Sequence, residues 1–129
     1  MAKVFGLGGV FFKSKDEAAL RDWYTRVLGL EFADWGGVTF KPDAATAKPG
    51  AATVFCPFKA DSDYFAPSDK DYMFNLMVDD LDSVLARCKA EGVETGEITE
   101  FNGRFAHIMD PEGRKIELWE PGPMPDADH

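Results

Sequence analysis

One pattern of elements occurs twice along the chain, and this internal repeat restricts the possible folds more than any other feature of the sequence. Each half begins with an apolar, strand-like segment and continues with a helical segment closed by a glycine, first Gly29 and then Gly92, 63 residues later. Three more strand-like segments follow in each half. The repeat predicts two βαβββ modules within a single domain. The first module spans about residues 3–58 and the second about residues 72–120. A linker at 59–71 joins them, and a tail follows at 121–129.

Two helices are predicted from their capping residues and apolar stripes. The first begins near Asp16, because Ser14 and Glu17 have the spacing of a capping box. The second begins after Asp79 and Asp80, whose carboxylates suit a helix N-terminus. Apolar residues then recur at helical spacing at Leu20, Trp23, Tyr24, Val27 and Leu28, and again at Leu81, Val84, Leu85 and Cys88.

Eight segments have the composition of strands, and together with the two helices they predict an α+β fold. The alternative is a single ferredoxin-like βαββαβ unit with additions, which needs two strands after the first helix where the sequence indicates three. The predicted strands are Val4–Lys13, Leu30–Trp35, Val38–Lys41, Ala52–Phe58, Tyr72–Val78, Val93–Ile98, Gly103–Met109 and Lys115–Glu120.

Composition excludes several classes of partner. With 14 basic and 23 acidic residues the formal charge is −9, which disfavours nucleic acid and anionic membrane surfaces. The longest apolar stretch, Val4 to Phe12, is too short to span a bilayer and lacks a signal cleavage site. Cys56 and Cys88 have no metal-binding spacing and are too few for a disulfide scaffold. We therefore expect a cytoplasmic protein with two free thiols.

The segment Asp110-Pro111-Glu112-Gly113 has the residues of a tight turn and predicts a β-hairpin. If Gly113 forms a left-handed bulge, Asp110 pairs with Arg114, and the same register places His107 opposite Glu117. Phe105 then faces Trp119.

Alternation along the hairpin separates two faces. One is uniformly aliphatic, which predicts packing against the helices; its residues are Ala106, Ile108, Ile116 and Leu118. The opposite face is mixed polar and aromatic and is the candidate pocket. It carries His107 and Glu117 as candidate catalytic residues, with Phe105 and Trp119 beside them as candidate ligand contacts. Met73 and Asn75 lie on the corresponding side of the preceding strand. Tyr64 and Phe65, aromatics in the linker, either cover the mouth of the cavity or anchor the linker.

Several of these features resemble the vicinal oxygen chelate superfamily, which includes glyoxalases, extradiol dioxygenases, and fosfomycin- and bleomycin-resistance proteins. The resemblance rests on the doubled βαβββ pattern, the hairpin, and the segments Trp23-Tyr24, Leu28-Gly29-Leu30 and Val78-Asp79-Asp80. It implies that the two modules form a cupped, incomplete eight-stranded barrel with helices on the convex side. It also implies a small-molecule cavity and a homodimer.

Metal-dependent members of this superfamily hold a divalent ion with His and Glu side chains from four strands, but most residues at those positions differ in this sequence. Glu117 keeps the carboxylate of the last strand, whereas Gly9 and Met73 stand where the family has donors, and the fourth strand offers Thr53 or Phe55. His107 would add a second ligand at most. Because divalent ions need several anionic or lone-pair donors, we expect neither a metal nor another cofactor.

Two functions remain open. In the first, the protein is a metal-independent, glyoxalase-like lyase or isomerase acting on a small oxygenated metabolite, with His107 as general acid/base and Glu117 orienting it; the competing interpretation of this pair is a cross-strand ion pair that stabilises the sheet. In the second, a bleomycin-resistance-like protein sequesters a cationic or aromatic ligand without catalysis. Phe11 and Lys13, on the first predicted strand, complete the candidate ligand contacts, and the resemblance matches Lys13 to a basic residue of glyoxalases.

Overall fold

The computed structural model describes residues 2–4, 7–41, 43 and 48–122. Within them one four-stranded open sheet packs against two helices, which confirms the α+β class. The strand order is β1-β4-β3-β2, with β1 parallel to β4 and the other neighbours antiparallel. The elements in chain order are α1 (Glu17–Leu28), β1 (Phe74–Met77), α2 (Leu81–Ala90), β2 (Thr99–Phe101), β3 (Gly103–Met109) and β4 (Lys115–Pro121).

The second half of the chain forms the predicted βαβββ unit, with one strand displaced. The strand predicted at Val93–Ile98 is instead β2, at Thr99–Phe101. A tight connection decides this position: Gly103 has a φ of 116°, and Phe101 pairs directly with Gly103 across Asn102. The segment Val93–Ile98 still makes one backbone hydrogen bond to β3, in which the Gly96 amide donates to the carbonyl of His107 at 3.0 Å.

Among the described residues, the first half of the chain lacks the predicted strands. The described residues of the segments at 4–13, 30–35, 38–41 and 52–58 belong to no strand, so the eight-stranded, two-module barrel is not confirmed. Several of their large apolar side chains are largely exposed, including Val4, Phe11 and Phe55. A strand needs a ladder partner and a buried face, and the local sequence pattern that predicted these strands specifies neither.

Both helices form where predicted, but the first has a different cap. Asp16 is the N-cap of α1 and accepts a hydrogen bond from the Ala19 amide at 3.1 Å. The capping box with Ser14 was a wrong prediction, because the Ser14 hydroxyl donates instead to Glu112 at 2.7 Å. Gly29 closes α1 in the left-handed conformation, and Asp80 caps α2, both as predicted.

The core lies between the helices and one face of the sheet. The aliphatic face of the hairpin is buried as predicted, and it packs on residues of both helix stripes. Neither of the two described helices is long and apolar enough to cross a membrane. The buried residues of this cluster are Leu20, Tyr24, Val27, Leu81, Leu85, Cys88, Ala106, Ile108, Ile116 and Leu118.

Candidate functional site

The hairpin that carries the site has the predicted geometry. Gly113 adopts a φ of 86° and its amide donates to the Asp110 carbonyl, while Asp110 pairs with Arg114. The register then places His107 opposite Glu117. Because side chains alternate along a strand, both project from the face opposite the helix-covered core.

Three side chains donate hydrogen bonds to the Glu117 carboxylate. His107 Nε2 lies 2.8 Å from Oε2, and the Tyr64 hydroxyl donates to the same oxygen at 2.5 Å. Asn75 Nδ2 donates to Oε1 at 2.8 Å, from the position on β1 that is in register with Glu117. The sheet thus supplies two of the donors, and the segment 59–71 supplies the third.

These donors keep Glu117 ionised. Burial acts to raise the pKa of Glu117, but the hydrogen bonds from His107, Tyr64 and Asn75 outweigh it and hold the pKa below its ordinary value. An ionised carboxylate only accepts hydrogen bonds, so the proton between the two groups belongs to His107 Nε2. His107 Nδ1 is then the ring nitrogen that remains for a ligand.

Tyr64, one of the two aromatic residues of the linker, contacts the Glu117 carboxylate directly. Burial and the hydrogen bond to Glu117 raise the pKa of Tyr64 to about 12. Its ring meets that of His107 edge-on, with centroids 5.7 Å apart, and it contacts the ring of Phe58. Lys115 contacts Tyr64 twice: its Nζ donates to the Tyr64 carbonyl at 2.7 Å and lies over the Tyr64 ring, 4.9 Å from the centroid. Sequence reasoning noted Tyr64 but gave no signal for its contact with Glu117, 53 residues away.

An aromatic pair lies on the same face of the hairpin. The rings of Phe105 and Trp119 are parallel within 4°, with centroids 5.8 Å apart. Trp119 is almost fully buried, and its Nε1 donates to the Asn102 carbonyl at 2.9 Å. Phe105 is half-buried, so it offers the more accessible ring of the pair.

For three other candidate ligand contacts, the described residues show no hydrogen bond or ring contact that joins them to this cluster. Met73 is half-buried immediately before β1, and Phe11 is 90% exposed. Lys13 lines a hollow of about 210 Å³ at the turn end of the hairpin. The described contacts include no hydrogen bond or ring contact from these three residues to His107 or Glu117.

The residues at the site do not fit the divalent metal of the family. Gly9 and Met73 offer no oxygen or imidazole donor, and the described residues contain no group of three or more His, Cys, Asp or Glu side chains that could hold an ion. The Glu117 oxygens already accept three hydrogen bonds. We therefore derive no step through a metal.

A buried network that the sequence did not reveal fixes the turn beside the site. Arg114 and Asp110 form an ion pair of 3.1 Å with almost no exposed side-chain surface. The Tyr24 hydroxyl from α1 donates to Asp110 at 2.9 Å, and Arg114 donates to the Lys13 carbonyl and the Tyr72 hydroxyl. The turn is thereby joined to α1 and to the segment that precedes it.

Comparison with known proteins identifies the family of the chain. The family model of the glyoxalase-like domain matches residues 9–119. The chain belongs to this family. The match also confirms the resemblance to the vicinal oxygen chelate superfamily. No curated protein matches the chain.

Three solved structures are similar to the glyoxalase-like chain. A glyoxalase/bleomycin resistance protein from Streptomyces sp. CB03234 is 33% identical with a TM-score of 0.35, over 36% of this chain and 42% of its own, so the chain spans less than half of that protein. TnmS3, an antibiotic binding protein from the same organism, is 22% identical with a TM-score of 0.50, over 84% of this chain and 88% of its own. SMU.1112c is 14% identical with a TM-score of 0.57, over 92% of this chain and 100% of its own. The last two similarities concern the fold.

Proposed function

We propose that this glyoxalase-like protein binds a small molecule on the sheet face around Glu117, and that the ligand is aromatic and carries a positively charged or hydrogen-bond-donating group. The observation that carries the proposal is a buried, ionised carboxylate beside a stacked aromatic pair. A carboxylate accepts from cations and donors, and ring faces stack on planar ligands. The formal charge of −9 favours the approach of a cation.

Binding without chemical turnover is favoured because the cationic side chains near the site already have partners within the protein. An enolate or oxyanion needs a positive or donor group directed at it. Arg104 pairs with Asp82, and Lys115 donates to the Tyr64 carbonyl. Asn75 donates a hydrogen bond from its side-chain amide to Glu117. Among the described residues, these groups are committed, which leaves His107 Nδ1 as the reactive atom. Binding of a ligand without turnover agrees with this arrangement, and the structural neighbour TnmS3 is named an antibiotic binding protein.

A dye titration tests the proposal. We expect the planar cation proflavine to bind the wild-type protein, and Glu117→Gln to weaken binding by about ten-fold or more, because a hydrogen bond to a charged group is lost. Glu100→Gln, an exposed acid on β2, removes the same charge away from the site and leaves the affinity unchanged. Equal affinity of the wild type and Glu117→Gln, or preference for the anionic dye anilinonaphthalene sulfonate, would refute it.

The second candidate is the metal-independent lyase or isomerase. It is favoured by the 2.8 Å contact between His107 Nε2 and Glu117, which orients the ring and leaves Nδ1 to accept or return a proton. The test is turnover of the hemithioacetal of methylglyoxal and glutathione. The enzyme hypothesis expects His107→Ala to abolish turnover with an unchanged circular dichroism spectrum, and unchanged turnover would remove His107 from the mechanism.

We also propose that the protein is cytoplasmic, as expected from its composition, and that it forms a homodimer, as the resemblance implies. Exposed apolar side chains of the first half, such as Val10, Val54 and Phe55, support a partner surface. Light scattering coupled to size-exclusion chromatography measures the mass directly, and a monomer at micromolar concentration would contradict the dimer.

A further inference from the structure

The Glu117 carboxylate is almost closed to solvent, although the groups that cover it are not. Glu117 is 8% exposed, whereas Tyr64 is 42% exposed and His107 and Asn75 also reach solvent. A ligand that uses this carboxylate, as the proposed function requires, must therefore displace one of its three donors.

The three donors differ in how their backbones are held. Asn75 belongs to β1 and is paired in register with Glu117 itself, and His107 is paired with Glu117 on the other side. Both are fixed by the sheet ladder. Tyr64 lies in a segment whose backbone bonds are local turns, such as the Ser62 amide to the Lys59 carbonyl and the Ala66 amide to the Asp63 carbonyl. Tyr64 is thus the donor that leaves with least disruption.

We propose that Tyr64 determines the specificity of the site: its hydroxyl holds Glu117 Oε2, and a ligand gains the carboxylate by replacing that hydroxyl with its own donor. This inference rests on the proposed function. It narrows the ligand to molecules with an ammonium, amino or hydroxyl group placed on a flat ring system. Acceptor-only and anionic ligands do not replace a donor, so they leave Tyr64 in place.

The geometry also indicates how the exchange occurs. His107 and Tyr64 share Oε2, while Asn75 donates to Oε1, so departure of the Tyr64 hydroxyl vacates one acceptor position on Oε2. The Tyr64 carbonyl stays tied to Lys115. Rotation of the Tyr64 side chain, without movement of its backbone, would therefore open the carboxylate.

The test compares proflavine affinity in three proteins: wild type, Tyr64→Phe and Tyr72→Phe. Tyr64→Phe keeps the ring but removes the competing hydroxyl, so proflavine should bind about ten-fold tighter, the value of a hydrogen bond to a charged acceptor. Tyr72→Phe is the matched control, because that hydroxyl contacts Arg114 rather than Glu117, and its affinity equals that of the wild type. Equal or weaker binding by Tyr64→Phe would overturn the inference.

Fluorine NMR of the fluorotyrosine-labelled protein tests the contact between Tyr64 and Glu117 in the absence of a ligand. The resonance assigned by its disappearance in Tyr64→Phe shifts in Glu117→Gln and again on adding proflavine. A resonance unmoved by Glu117→Gln would overturn the inference. If no variant binds proflavine but this resonance responds to Glu117→Gln, the proposed ligand class fails while the contact of Tyr64 with the carboxylate stands.

Discussion

Replacement of Arg114 by methionine tests the buried network at the turn. The guanidinium lies within 3.1 Å of the Asp110 and Glu112 carboxylates, donates to the Lys13 carbonyl at 2.7 Å and to the Tyr72 hydroxyl at 2.9 Å, and has 4% of its side chain exposed. Methionine fills much of the volume but satisfies none of these partners. Asp110 would remain buried as an anion held only by Tyr24 and backbone amides.

The expected cost of Arg114→Met is about 3 to 5 kcal/mol of unfolding free energy, the range for removing one partner of a buried ion pair. Most of this cost is the uncompensated charge of Asp110. In an Asp110→Asn background the same substitution should therefore cost at least about 1 kcal/mol less, which a double-mutant cycle measures.

Urea unfolding, followed by tryptophan fluorescence and circular dichroism, supplies the free energies. Arg26→Met is the control, since Arg26 pairs with Asp22 at the surface with about half of its side chain exposed, and its removal should leave the midpoint almost unchanged. A loss below about 1 kcal/mol for Arg114→Met, or the same loss in both backgrounds, would refute the reasoning.

Two further predictions concern the hairpin and the site. Gly113→Ala should lower the free energy of unfolding by about 1 to 2 kcal/mol, because alanine is strained at a φ of 86° although nothing lies within 4 Å of the added Cβ. Gly8→Ala is the control, because Gly8 is equally unobstructed and has no positive φ, so this variant should be neutral in the same urea assay. Equal stabilities of the two variants would contradict the prediction. The Tyr64 hydroxyl should ionise near pH 12, detected as the tyrosinate absorbance missing from Tyr64→Phe. Since this folded pKa exceeds the ordinary value of 10.0, the stability that Tyr64 contributes is fully present below pH 10 and is lost as the pH rises through about 12; ionisation near pH 10 would contradict the hydrogen bond to Glu117.

The site hairpin was predictable to the residue. Asp110 to Gly113 form a turn whose type is decided by local chemistry, and one turn fixes the whole register, including His107 opposite Glu117. Asn75 was placed on the correct side of its strand by alternation alone. Tyr64 could be singled out as an aromatic in a polar linker, but its partner could not, because no periodic pattern relates a loop residue to a strand far along the chain.

What the sequence determined by itself is therefore local: two capped helices, one hairpin and the division of its faces, each set by backbone conformation and periodicity within a few residues. The tertiary structure decided which strand-like segments find a ladder, since those of the second half pair and the described ones of the first half do not. It also brought Tyr64 onto Glu117 and Tyr24 onto Asp110. Such contacts depend on how the packed elements meet in space, and burial strengthens them only after the core has formed.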